Sequence, residues 1–131
     1  MTEINLPEII KEIGFDFNRD EEKVWALKYP VEEMNIDELT WHFNIPFHWH
    51  RGEVYNLTSN EIINNPEKYP EEYGRCMKAD LKYPIDIMQN KGRWLILDGL
   101  HRLMKAKIRA LQTVKVRKIP RSEIPHILKE I

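Results

Sequence analysis

The chain has 131 residues, with twenty Lys and Arg against twenty-one Asp and Glu and a formal net charge of −1. Apolar residues make up 42% and charged residues 31%. That balance excludes fibrous and disordered classes and predicts one globular domain with its own core. No run of about 18 apolar residues occurs, so no membrane partner is expected. The acidic start MTEINLPEIIKEIG, broken by Pro7, does not read as a signal peptide, and Cys76, the single cysteine, cannot close an internal disulfide. A reducing, cytoplasmic location follows as an expectation.

In chain order, Pro7 near a first helical position and Gly14 as terminator predict a helix within an amino-terminal helical extension, residues 1–23. The core is expected over 24–119. Residues 24–29, VWALKY, carry β-formers and stop at Pro30, so they read as a strand. Asn35 followed by Glu38 predicts a short helix over about 36–43. The aromatic, histidine-rich stretch from Trp41 to His50 contains Pro46, which argues against a central strand. Thr58 with Glu61 is a second capping box and opens a helix through about Asn64; Glu71–Ala79 reads as another helix. Pro84–Met88 alternates as a strand, Asn90-Lys91-Gly92 is a hairpin turn, and Arg93–Leu97 is an almost continuous apolar strand. Such a run predicts a central position, buried on both faces. A helix is expected from Gly99 to about Leu111, a strand from Thr113 to Ile119, and a carboxy-terminal helix within 120–131. Strand 93–97, the helix and strand 113–119 have the order of a crossover unit. The fold class expected is α/β (α+β): a small mixed β-sheet wrapped by helices.

Charge is unevenly spread. Residues 1–40 hold eleven acids against four bases, whereas Gly99 to Ser122 holds eight basic residues and no acid. A cationic end on a near-neutral molecule can focus an anionic ligand. Near neutrality disfavours non-specific coating of DNA, so a DNA partner is expected to bind weakly at most.

The segment Leu97-Asp98-Gly99-Leu100-His101-Arg102 carries the most chemistry. It lies where an apolar strand turns straight into a helix, whose first N–H groups have no internal partner and sit at positive potential. Gly99 lacks a Cβ, which lets an anion come close. His101 and Arg102 occupy a first turn where cations oppose the dipole, a cost that a bound anion would offset. Arg102 offers a planar fork for phosphate oxygens. Asp98 can cap the helix, hold a metal or accept a proton. A plain structural role is open for each: Asp98 as a cap, Gly99 as a turn, Arg102 paired with Asp98 or Asp86.

The stretch ILDGLHRLMKA, preceded by strand-turn-strand and followed by VKVRKIP, resembles the ParB/sulfiredoxin-like superfamily, over residues 24–119. Members carry a D-G-x-H-R or G-x-x-R box at this corner, and VEEMNIDEL, Arg51 and Pro84-Ile85 follow the same layout. The resemblance implies that Gly99, Leu100, His101 and Arg102 surround the phosphates of a nucleotide, ATP, ADP or CTP, with Asp98 near Mg²⁺ or the acceptor hydroxyl. It further implies a nucleotide-dependent phosphotransferase or NTPase acting on a small acceptor, with Asp98, His101 and Arg102 as its catalytic residues. The alternatives are a non-enzymatic nucleotide-sensing or DNA-associated module, or a nuclease. Two departures matter. Leu100 stands where sulfiredoxins carry cysteine, and too little chain follows the last strand for the helix-turn-helix of partition proteins.

A second region holds Trp41, His42, Phe47, His48, Trp49, His50 and Arg51. His48, Trp49, His50 and Arg51 read as substrate contacts, with aromatics to stack and donors to bind. His42, His48 and His50 could instead hold zinc. Exposed Trp41 and Trp49 would suit a homodimer contact. Glu53 is a candidate base, Cys76 reads as a buried inert thiol, and Asp80 as a cap or turn residue.

Overall fold

The computed structural model describes residues 20–50 and 53–127; of Trp49, His50 and residues 53–55 it describes the backbone only. The helix expected at 5–14, Arg51, and the end of the chain beyond 127 lie outside the described residues. Along the chain come α1 (Glu21–Ala26), β1 (Val31–Asn35), 3-10 turns at Ile36–Glu38 and Thr40–Asn44, β2 (His48–His50), β3 (Glu53–Leu57), α2 (Ser59–Asn64) and α3 (Pro70–Lys78). They are followed by β4 (Ile85–Asn90), β5 (Arg93–Asp98), α4 (Leu100–Ile108), β6 (Thr113–Lys118), a 3-10 turn at Arg121–Glu123 and α5 (Ile124–Ile127). The α+β class is as expected. Among the described residues no helix is long and apolar enough to cross a membrane.

Local chemistry explains most boundaries. Thr58 caps α2 by accepting from the Glu61 amide at 3.2 Å, and Asn35 caps the first 3-10 turn by accepting from Asp37. Lys91 and Gly92, with φ of 52° and 81°, form the two-residue turn between β4 and β5. The strand expected over 24–29 is wrong: Val24–Ala26 end α1, and 27–29 follow it without forming a strand. Asp20 accepts from the Glu22 amide, and Glu21 and Glu22 fill the first turn, where the dipole favours acids. That cap outweighs the β-propensity of VWALKY, and Val24 and Leu27, three apart, face the core together.

The sheet order is β1-β6-β4-β5. β1 and β6 are antiparallel, β6 and β4 parallel, β4 and β5 antiparallel. Two expectations are corrected here. β5 is an edge strand, and it does not form a crossover unit with α4 and β6. The parallel pair is β4 and β6, and β4 lies between β5 and β6. β5 is apolar from Trp94 to Leu97 because both faces are covered there. Ile96 joins the larger core with Ile85, Ile87, Leu103 and Val116, and Leu97 joins a smaller one with Val24, Met88, Ile119 and Ile127. Its open edge is covered by the second 3-10 turn. The Ile96 amide donates to His42 Nε2 at 3.1 Å, and Trp41 Nε1 donates to the Trp94 carbonyl at 3.2 Å. Those two bonds occupy backbone groups that would otherwise recruit another strand.

The β4–β5 ladder contains a bulge. Ile87 faces Ile96, yet Asp86 faces Asp98, so Leu97 is the extra residue. The bulge sets the two carboxylates side by side at the end of the hairpin. On the other flank, Asp86 faces Arg117 of β6. Arg117 donates from Nε to Asp86 at 2.6 Å and from its two terminal nitrogens to the carbonyls of Leu27 and Val24, which ties α1 to the sheet by its carboxy-terminal end.

Candidate functional site

Gly99 is the residue before α4 and has φ of 115°, a left-handed conformation that disfavours side chains. A Cβ there would lie 3.1 Å from Ile85 Cγ1 and 3.2 Å from Arg102 Nη1. The glycine is therefore required by the backbone and by Ile85 beneath it, whatever binds above. Asp98 does not cap the helix, contrary to one sequence reading, and no side chain does. Its Oδ2 instead accepts from Trp25 Nε1 at 2.7 Å and from Arg102 Nη2 at 3.0 Å. The Arg102 Nη1 donates to the Pro84 carbonyl. Arg102 thus crosses from the first turn of α4 to β5 and to the loop before β4, and the carboxylate offsets the cost of a cation at a helix start.

His101, which lines the same groove, also contacts β2. Its ring meets that of His48 on β2, centroids 5.6 Å apart. His48 Nε2 lies 2.9 Å from the hydroxyl of Ser59, which is fully buried. Burial holds the His48 pKa at about 4, with the nearby His101 acting in the same direction. His101 is lowered too, first by burial and then by Arg75. Both rings are neutral at neutral pH.

Two cavities meet at the Asp98–Arg102 pair. One, of about 430 Å³, is a groove over the start of α4, lined by Arg75, Lys78, His101 and Arg102 together with Asp80 and Asp98. Both acids are committed: Asp98 as above, Asp80 to the Lys82 amide at 2.9 Å, the turn role expected of it. The second cavity, of about 530 Å³, has Trp25, Tyr83 and Pro84 as walls and two ion pairs, Asp86–Arg117 and Asp98–Arg102, inside it. Tyr83, Asp98 and Arg102 belong to both.

The structure brings together Asp98, Gly99, His101, Arg102 and His48 of the sequence-selected residues. Leu100 packs against the larger core with its side chain, so its contribution to the groove is its position in the first turn of α4. The side chains of Trp49 and His50 are among those not described, and Arg51 lies outside. Sequence reasoning passed over Arg75 and Lys78 as groove residues, and Trp25, Tyr83, Asp86 and Arg117 as cavity residues. The spacing of Arg75 and Lys78 in the last turn of α3 was the one signal for them, and it reads equally as dipole complement.

The zinc alternative fails at His42. Its Nδ1 is 2.6 Å from the Leu39 carbonyl and its Nε2 accepts from Ile96, so both ring nitrogens are spent. Among the described residues no group of three His, Cys, Asp or Glu is placed to hold a metal. Trp41 is packed rather than free, stacked on His42 at 3.7 Å with Arg93 over its ring. Cys76 is fully buried beside Met104, Sγ to Sδ 3.6 Å, and burial pushes its thiol up to about 11. Of the eight basic residues from Gly99 to Ser122, Arg102, Lys105, Arg117, Lys118 and Arg121 are engaged with neighbouring carbonyls or side-chain oxygens. No protein-family model, curated protein or solved structure matches the chain.

Proposed function

We propose that this chain is a nucleotide-binding domain of the ParB/sulfiredoxin type, taking the phosphates of a nucleotide in the groove at the start of α4. The observation that carries the reading is the convergence of Arg75, Lys78, His101 and Arg102 on one groove whose two acids already have donors. The uncapped first turn of α4 adds N–H donors at positive potential. The adjoining aromatic cavity supports a nucleotide over a free phosphate, because it offers room for a ring beside the phosphate groove.

If phosphoryl transfer occurs here, Arg75, Lys78 and Arg102 are the groups that would hold charge on the transferring phosphate, and the neutral His101 would donate to one of its oxygens. Asp98 supports this as a positioning residue, since its Oδ2 orients Arg102. Mg²⁺ usually binds through one or two carboxylates plus phosphate oxygens. The other oxygen of Asp98 is the group at this corner that fits it. The engagement of Arg117 and Lys118 of β6, and of Arg121 in the turn after it, with their own fold weighs against a DNA-docking face there.

A thermal-shift panel of nucleotides, with and without Mg²⁺, tests the reading. A ligand at a hundred times its Kd stabilises by about 2.7 kcal/mol. A shift that Arg75→Ala abolishes supports it. The absence of a shift with every nucleotide and with pyrophosphate overturns it.

A further inference from the structure

The geometry points to Asp86 as the residue that selects the base: its unused carboxylate oxygen accepts an N–H from a nucleobase bearing an exocyclic amino group, stacked between Trp25 and Tyr83. This rests on the nucleotide reading above. Asp86 is 2% exposed, and its Oδ1 accepts from Arg117 Nε. Its Oδ2 has no hydrogen-bond partner among the described residues. No buried side-chain oxygen or nitrogen among those residues is left unpaired, so Oδ2 reaches open space, and the space Asp86 lines is the aromatic cavity. Arg117 cannot turn to satisfy it, because its terminal nitrogens are held by the Leu27 and Val24 carbonyls.

The walls fit the same ligand. Trp25 and Tyr83 are 53% and 54% exposed, an unusual state for large aromatics, and both line the cavity. A base offers a flat face to stack on them. Two aspartates and two arginines leave the cavity electrically balanced, which suits a neutral ring better than an organic cation. Because Tyr83 and Arg102 line both cavities, a ring in one can carry phosphates in the other. An ionised carboxylate oxygen accepts and does not donate. It pairs well with the amino group of adenine, guanine or cytosine, whereas uracil offers it only the N3–H, flanked by two carbonyl oxygens that repel it.

The test is calorimetric titration of the full chain with pyrophosphate and with adenosine, guanosine, cytidine and uridine diphosphates. At least one amino-bearing nucleotide should bind about tenfold to a hundredfold tighter than uridine diphosphate, which should exceed pyrophosphate by its stacking alone. Asp86→Asn adds an N–H donor and should erase that discrimination. Trp25→Ala, at an exposed position, should weaken the preferred nucleotide several-fold more than it weakens pyrophosphate, and it serves if the Asn variant does not fold. Equal binding of uridine and amino-bearing diphosphates overturns the role of Asp86. So does pyrophosphate binding as tightly as every nucleotide, and both leave the phosphate groove standing. Failure of pyrophosphate and of all nucleotides overturns groove and base selection together.

Discussion

The rings of His48 and His101 meet edge to face, 5.6 Å between centroids, and so join the β2–β3 ribbon to the first turn of α4. Both are held neutral by burial, His48 at a pKa of about 4. As pH falls below about 6.5, the unfolded chain therefore takes up protons that the folded chain refuses. Stability from His48 is fully present above that pH, drains away between about 6.5 and 4, and changes no further below. The loss at this one site is about 3 kcal/mol. Urea unfolding at pH 7 and pH 4.5 should show a markedly smaller drop in His48→Gln than in the natural chain. His42, also held at about 4, steepens the fall in the same window.

Gly99→Ala should destabilise the fold by about 1–3 kcal/mol, from a left-handed backbone that disfavours alanine and from crowding against Ile85. The new methyl group also presses on Arg102 Nη1. Phosphate affinity should therefore fall in step with stability, read by denaturation and titration on one preparation. Full stability in the variant would mean that the corner relaxes freely.

Arg75→Ala and Arg102→Lys should separate binding from folding. Arg75 is exposed, so its loss should leave stability within about 0.5 kcal/mol while weakening phosphate binding. Lysine at 102 cannot reach Asp98 and the Pro84 carbonyl in the same fork, and should cost about 1–3 kcal/mol as well as affinity. Unchanged phosphate affinity in Arg75→Ala would remove that residue from the groove's work.

His42→Leu leaves the Ile96 amide without its acceptor on the open edge of β5. A cost of about 1–3 kcal/mol is expected. The bared edge should also promote concentration-dependent self-association, visible in sedimentation.

Cys76 should ignore a thiol reagent at pH 8 in the native chain and react fully once urea unfolds it, because burial both shields the sulfur and pushes its pKa up to about 11. Rapid native reaction would show that α3 lifts off α4.

Much of the site was legible because it is local. Asp98 to Arg102 are consecutive, and a strand running into a helix shows in hydropathy alone. Thr58 and Asn35 announced their turns by the same short-range logic. What was hidden depends on distant pairings. The run Arg93–Leu97 reads the same whether neighbours cover its faces or its edges, so edge and centre could not be told apart. Trp25 looked like a strand residue until Asp20 capped the segment. Arg75, Lys78 and Asp86 gain meaning from where α3 and a bulge place them, and neither is encoded within a short window.

The outer strand Val31–Asn35 has its ladder partner in Thr113–Arg117, nearly the far end of the described chain. A ribosome must therefore deliver the chain through Arg117 before that ladder can zip. The hairpin, α4 and β6 can associate through nearby contacts, so they should collapse first, and Val31–Asn35 should dock late. Until then Arg117, whose own strand is half of that ladder, has no antiparallel neighbour on its outer side.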